Sequence, residues 1–175
     1  AKIAVVDLDQ GRGDRVAADI KNAGGEAAAW VVDVADESAI DRLVKEVVGL
    51  WGQIDILVNN AAISDNRHIL EITKEEWDRV IAVSLTGPFL LSKSVAKQMV
   101  AQGRPGKIVN VGSTSGFLGR KNAIAYAAAK GGVANFTRAL AVQLAPHDIR
   151  VNGVVPNKVG SPVGKDKFDP TRPVV

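Results

Sequence analysis

Three side chains in one short stretch could do chemistry together. Ser113 lies in Gly-Ser-Thr-Ser-Gly directly after the apolar run Lys107–Val111, Tyr126 is the chain's only tyrosine, and Lys130 follows it by four positions. A free tyrosine loses its proton near pH ~10, too high for efficient acid/base work near neutrality. An ammonium held beside it favours the phenolate and brings that proton into use. A serine hydroxyl can donate to a carbonyl or alkoxide oxygen and fix it in place. The trio suits proton exchange with an alcohol oxygen while a hydride moves to or from the same carbon. The plain alternative is a helix tyrosine with a wet tip and a solvated lysine, and a lone Tyr-x-x-x-Lys would deserve that reading. The Gly/Ser-rich strand end upstream favours chemistry.

The elements that must hold these groups follow from pattern. Lys107–Val111 is β-branched and stops at a Gly/Ser cluster, so it predicts a buried strand ending just before Ser113. The Ala-rich stretch from about Asn122 to Leu144 predicts a helix, which places Tyr126 and Lys130 on one face. Upstream, strands are predicted at Lys2–Val6, Ala27–Val32 and Ile54–Val58, the last a continuous apolar run of the kind buried on both faces of a parallel sheet. Helices are predicted from Gly11 to Ala23, stopped by Gly24-Gly25, and from Asp36-Glu37 to about Leu50. Thr73-x-x-Glu76 forms a capping box that opens a helix reaching Val100, with its pattern interrupted near Gly87-Pro88. A last strand runs from Arg150 to Val155. Strands alternating with helices give an α/β fold: a doubly wound parallel sheet with helices on both faces, Rossmann-like.

Composition sets the bounds. The 175 residues fit one domain over 1–175, and 46% hydrophobic with 23% charged residues is an ordinary globular balance. A net charge of +3 with interspersed acids leaves no footprint for a nucleic acid. With no cysteine, disulfides and thiolate metal sites are excluded, and His68 and His147 stand alone, so no metal site is expected. No uninterrupted apolar run approaches the ~20 residues of a membrane span, and a cytoplasmic location is expected with no membrane partner. Trp30, Trp51 and Trp77 are scattered and read as packing anchors.

Dinucleotide binding is the natural use of such a sheet, yet a Gly-rich turn after the first strand is missing. The nearest candidate is Gly11-Arg-Gly13, with Val16 at the third glycine's place and Asp14 where a pyrophosphate would want bare amides. It reads as a helix opening, and Asp33 at the right spacing is a decoy for its acid.

Five strings together resemble the short-chain dehydrogenase/reductase family over nearly the whole chain: DILVNNAA (Asp55–Ala62), VIAVSLTGPFL (Val80–Leu90), KIVNVGSTSG (Lys107–Gly116), YAAAKGGV (Tyr126–Val133) and IRVNGVVP (Ile149–Pro156). The resemblance implies that Ser113 polarises the substrate oxygen, that Tyr126 is the general acid/base, and that Lys130 supports Tyr126 and holds the nicotinamide ribose. It implies a nicotinamide cofactor bound by Asp7 at the adenosine ribose, Asp33 and Val34 beside the adenine, Asn60 in the cleft, and Val159 and Ser161 at the carboxamide. Asp7 would accept from both ribose hydroxyls and repel a 2′-phosphate, so NAD is favoured over NADP; Arg12 and Arg15 nearby soften that preference. The resemblance also implies that the family's first strand and Gly-rich turn precede residue 1, and that the family continues past Val175. The 175 residues are thus expected to be the interior of a longer protein. In a sheet of order 3-2-1-4-5-6 the absent strand is the central one, which leaves the strands ending at Asp7 and Asp33 unlinked to the rest.

Three departures stand out. Ala62 and Asn157 replace family glycines, and Ser84 stands where an asparagine anchors a water in the proton relay; serine reaches less far. The function implied is an oxidoreductase moving a hydride between a nicotinamide cofactor and a secondary alcohol or ketone, with Ser113, Tyr126, Lys130 and Ser84 as the catalytic set. The alternatives are a binding or scaffolding protein whose catalysis has lapsed, and an epimerase or dehydratase sharing the Tyr/Lys pair. The tail 161–175 would begin the substrate loop, and the two long helices resemble those through which family members form homotetramers or homodimers.

Overall fold

In the computed structural model, which describes residues 1–157, the elements follow the predicted alternation. They are β1 (Lys2–Asp7), α1 (Gln10–Asn22), β2 (Glu26–Val31), α2 (Glu37–Trp51), β3 (Ile56–Asn59), α3 (Lys74–Ile81), α4 (Gly87–Ala101), β4 (Gly106–Val111), α5 (Ile124–Leu144) and β5 (Ile149–Val154). A π-turn over Ala82–Thr86 joins α3 to α4, and short 3₁₀ turns follow β4 and α5. The Gly11-Arg-Gly13 segment lies inside α1, capped by Asp9, whose carboxylate accepts the Arg12 N–H. The helix opening read from sequence is what forms.

All strand pairs are parallel, but they form two sheets, β1-β2 and β3-β4-β5. Among the described residues no strand bridges β1 and β3. The two sheets are joined by side chains instead. Val32, Val34 and Ile40 pack with Leu43, Val83 and Leu90 in one core, and a second core joins Val44 and Met99 to Ile108 and Ile149. Gly87 allows a close approach between the halves: a Cβ there would lie 2.9 Å from Val34 Cγ2 and 3.1 Å from its carbonyl oxygen. Helices cover both faces of β1-β2, with α1 against Ala29 and α2 with Trp30 and Val6. In β3-β4-β5, α4 and α5 lie on one face. The expectation that Ile54–Val58 is buried on both faces is therefore corrected: Ile56 and Val58 are each 55% exposed. Their face of β3 has no helix upon it among the described residues.

The pattern's interruption near Gly87-Pro88 does not end the helix, which continues as expected. The π-turn just ahead absorbs the break at Pro88, whose missing N–H would otherwise leave a gap in the ladder, and Lys74–Ala101 runs on as one helix of 28 residues. That helix is long and apolar enough to cross a membrane by length and composition, although its apolar residues form no unbroken run. More than half of its most apolar window, 56%, is buried inside the protein, as expected of a core helix. Trp30 and Trp51 meet edge to face at 5.8 Å and donate to Glu46 and Glu26, so these two are packing anchors as predicted.

Candidate active site

Strand β4 delivers Ser113. Its apolar run pairs on both sides, with β3 and with β5, and the chain leaves the sheet at Gly112, whose N–H still donates to Val154 O at 2.8 Å. Ser113 is extended and buried, and its Oγ accepts from the Ser115 N–H and donates to Ser115 Oγ, both at 3.1 Å. The turn that follows packs straight onto α5. A Cβ at Gly116 would lie 2.6 Å from the backbone carbon and oxygen of Lys130, so this contact requires a glycine.

Helix α5 presents the other two groups. Lys130 is 3% exposed, and its Nζ donates to the carbonyl of Val111 at 2.6 Å, two residues before Ser113. The same Nζ lies 5.6 Å from the centroid of the Tyr126 ring. Burial without a carboxylate partner pushes the Lys130 ammonium down from its ordinary 10.5 to about 8. An ammonium carries three donors, so two remain after the bond to Val111. The structure thus brings the Ser113 turn, Tyr126 and Lys130 to one place, where the end of β4 meets the first two turns of α5.

The remaining predicted residues are distributed as follows. Asp7 ends β1 and is engaged by Arg12: Nη2 reaches Oδ1 at 2.7 Å, and Nε lies 3.3 Å from both oxygens. Arg12 first, and then the Asp9 N–H, holds the Asp7 carboxyl below its usual range. Asp33 follows β2, accepts from the Ala35 N–H at 2.9 Å and from Arg79 at 3.0 Å, and is likewise held low, chiefly by the Ala35 N–H. Val34 is buried against α4, and Asn60 is exposed just past β3. Val159 and Ser161 lie outside the described residues.

Ser84 sits in the π-turn, fully buried, and its hydroxyl is spent on the chain after β3. It accepts from the Ile63 N–H at 3.0 Å and donates to the Ile63 carbonyl at 2.9 Å. The single hydroxyl proton is therefore committed to backbone, and Ser84 positions the 60s loop rather than offering a donor to a relay water.

Sequence reasoning missed a buried amide network beneath the site. Asn59 Nδ2 donates to Asn110 Oδ1 at 2.8 Å and to Ser92 Oγ at 3.0 Å, and Asn110 Nδ2 donates to Thr137 Oγ1 at 2.9 Å. Both asparagines are buried, and the Oδ1 of Asn59 has no partner. The amide faces the way that gives its nitrogen these acceptors, and a flip would lose them. The signal was present in ILVN and KIVN, two apolar runs that each reach an asparagine, and these asparagines are cross-strand partners. Asp65 was missed too; its carboxylate accepts from the N–H groups of Ala125 and Tyr126.

Two open clefts, of about 280 and 380 Å³, lie elsewhere: one near Met99, Arg104 and His147, the other along β5 by Ala141, Arg150 and Asn152. No cluster of three metal-ligating side chains occurs among the described residues. The groups that would meet a nicotinamide dinucleotide are of fitting chemistry: a carboxylate at the end of β1 to accept from ribose hydroxyls, and a lysine beside the tyrosine with two unspent donors.

The chain is similar to known proteins over most of its length. A family model described as short chain dehydrogenase matches residues 1–171. Sorbitol dehydrogenase of Cereibacter sphaeroides is 40% identical over 91% of this chain and 61% of its own length. A 3-oxoacyl-[acyl-carrier-protein] reductase of Synechocystis is 39% identical over 85% of this chain and 60% of its own. A crystal structure of NAD⁺-bound xylitol dehydrogenase superposes with a TM-score of 0.85 at 35% identity, covering 89% of this chain and 60% of that one. The chain thus spans roughly three-fifths of the length of these relatives.

Proposed function

This chain belongs to the short-chain dehydrogenase family, and on that premise we propose that the whole protein interconverts a secondary alcohol and a ketone with a nicotinamide cofactor. One observation carries the reading: a buried lysine, tied to the strand that bears Ser113, places its charge 5.6 Å from the ring of the only tyrosine. When bound, a nicotinamide dinucleotide supplies or accepts the hydride. Tyr126 gives the hydroxyl proton to the substrate oxygen in reduction and takes it in oxidation. Ser113 turns its hydroxyl from Ser115 to that oxygen and holds it against the phenol. Lys130 keeps its charge beside the phenol and offers its free donors to the nicotinamide ribose. Asp7 accepts from the adenosine ribose hydroxyls, which favours NAD, and Arg12 against it lessens the penalty on a 2′-phosphate.

The relatives act on polyols and on a 3-oxoacyl thioester by their names, so a small polyol is the substrate class we favour. We place the protein in the cytoplasm as a homodimer or homotetramer assembled through α4 and α5, where Phe89, Val100 and Val142 leave apolar surface exposed.

The test uses the full-length protein: titration with NADH and NADPH by fluorescence, then sorbitol, galactitol, xylitol and their ketones, and a 3-oxoacyl thioester. Nucleotide binding with turnover of one member, abolished in Tyr126→Phe at unchanged NADH affinity, is the expected result. The committed Ser84 hydroxyl favours a second reading, a binding protein whose catalysis has lapsed. NADH binding with no turnover of any member would select it.

A further inference from the structure

Helix α5 begins without a cap of its own. Ala123, at its N-cap position, is left-handed with φ 77° and offers no side-chain acceptor. The first-turn N–H groups, which have no partner inside a helix, would be orphaned in a partly buried place. Asp65 supplies them from sixty residues upstream: Oδ2 accepts from Ala125 N at 3.2 Å and Oδ1 from Tyr126 N at 3.1 Å. The carboxylate binds the backbone of the very residue whose phenol does the chemistry.

Asp65 is held from behind. Two residues before it, Ser84 grips both the N–H and the carbonyl of Ile63. Directly after it, Asn66 turns the chain with φ 52°, a conformation asparagine tolerates. Next, the Arg67 carbonyl accepts from Ala123 N at 3.0 Å while its guanidinium meets Glu76 at 3.0 Å. The 63–67 loop is therefore a strut, anchored on α3 and the π-turn at one end and on the start of α5 at the other.

We infer that Asp65 is a positioning residue for the tyrosine, fixing the first turn of α5 so that the phenol meets the oxygen held by Ser113. Lys130 pins the helix one turn further along through Val111, so the tyrosine sits between two fixed points. Without Asp65 the first turn is free to fray or tighten, and displacement of a reacting group by about 1 Å can cost about a hundredfold in rate. Ser84, whose hydroxyl proton is spent on the Ile63 carbonyl, holds this strut.

The inference rests on the proposed dehydrogenase reading, and the experiment separates the two. In the full-length protein, Asp65→Ala, Asp65→Asn and Tyr126→Phe are compared using NAD and whichever of sorbitol or xylitol is oxidised, with rates counted per NADH site. Asp65→Ala is expected to lower kcat about tenfold or more with KM and NADH affinity within about twofold, since the defect is in the reacting geometry. Asp65→Asn, which keeps one acceptor oxygen, is expected to recover most of that loss. A lower Tm with unchanged kcat per site, or Asp65→Asn no better than Asp65→Ala, overturns the inference. If Asp65→Ala does not fold, Asp65→Asn decides alone: kcat lowered about two- to fivefold supports the inference, and wild-type kcat overturns it. If Tyr126→Phe itself keeps its rate, the dehydrogenase reading fails, and the inference with it.

Discussion

The end of β1 and the end of β4 both present polar groups where a parallel strand stops, but they are built in opposite ways. At β1, Asp7 and Arg12 form an ion pair with both side chains substantially exposed, at 34% and 48%. At β4, Asn110, Ser113 and Lys130 are all buried and each meets a fixed partner. An exposed pair in water is held loosely and screened by salt, whereas a buried polar group must keep its partner or lose the energy of desolvation. The proposed nucleotide end is therefore adjustable and the proposed reacting end is rigid. Rigidity belongs where atoms must meet within a fraction of an ångström, and adjustability where a flexible cofactor is gripped by its far end.

The contrast can be broken at four points of decreasing effect. The largest is Tyr126→Phe, expected to lower kcat by about 10² to 10⁴, the range for a lost general acid/base, with NADH affinity unchanged in titration. A phenylalanine that turned over normally would empty the β4 end of its chemistry.

Next is the burial of Lys130. Its ammonium is depressed to about 8 in the folded chain, below its ordinary 10.5, so between these pH values the unfolded chain holds more protons. Folded stability from this group therefore rises with pH across that window, by about 3 kcal/mol in total, and the burden is fully present below pH ~8. Urea unfolding of the full-length protein and of Lys130→Met at neutral and alkaline pH should show the difference between them change with pH in this sense. A pH-independent difference would mean that the lysine is wet.

Third, Asn110→Leu deprives the Asn59 amide and the Thr137 hydroxyl of a shared buried partner, and a loss of about 2 kcal/mol in urea unfolding is expected. The smallest effect is at the other end: Arg12→Ala should leave the urea midpoint unchanged and move the ratio of NADH to NADPH affinity about fivefold toward NADH, the scale an exposed pair commands. An Arg12 effect larger than the Asn110 effect would reverse the comparison.

Much of this was legible beforehand, for local reasons. Strand and helix placement follows hydrophobic period and punctuation, and the capping box at Thr73 and Glu76 formed as its spacing requires, with both reciprocal bonds present. The strand end at Ser113 and the one-turn spacing of Tyr126 and Lys130 are likewise local. Less was legible where the outcome depends on what packs beside a residue. Ile56 and Val58 read as buried on both faces, yet burial depends on a covering layer that no property of β3 itself supplies. The helix expected to reach Val100 does run on to Ala101, but the π-turn that carries it past Pro88 is not visible in composition.

Residue types and spacing alone thus settled that a tyrosine and a lysine share a helix face after a strand that stops just before a serine, since 3.6 residues per turn puts positions four apart on one side. Only the tertiary structure decided what each polar group is spent on: Arg12 on Asp7, Ser84 on Ile63, Asp65 on the amide of Tyr126, Lys130 on Val111. The reason is that a hydrogen bond is made by direction and distance between atoms that lie, for three of these four pairs, 19 to 61 positions apart in the chain. Local pattern carries no information about such encounters until the strands and helices have docked.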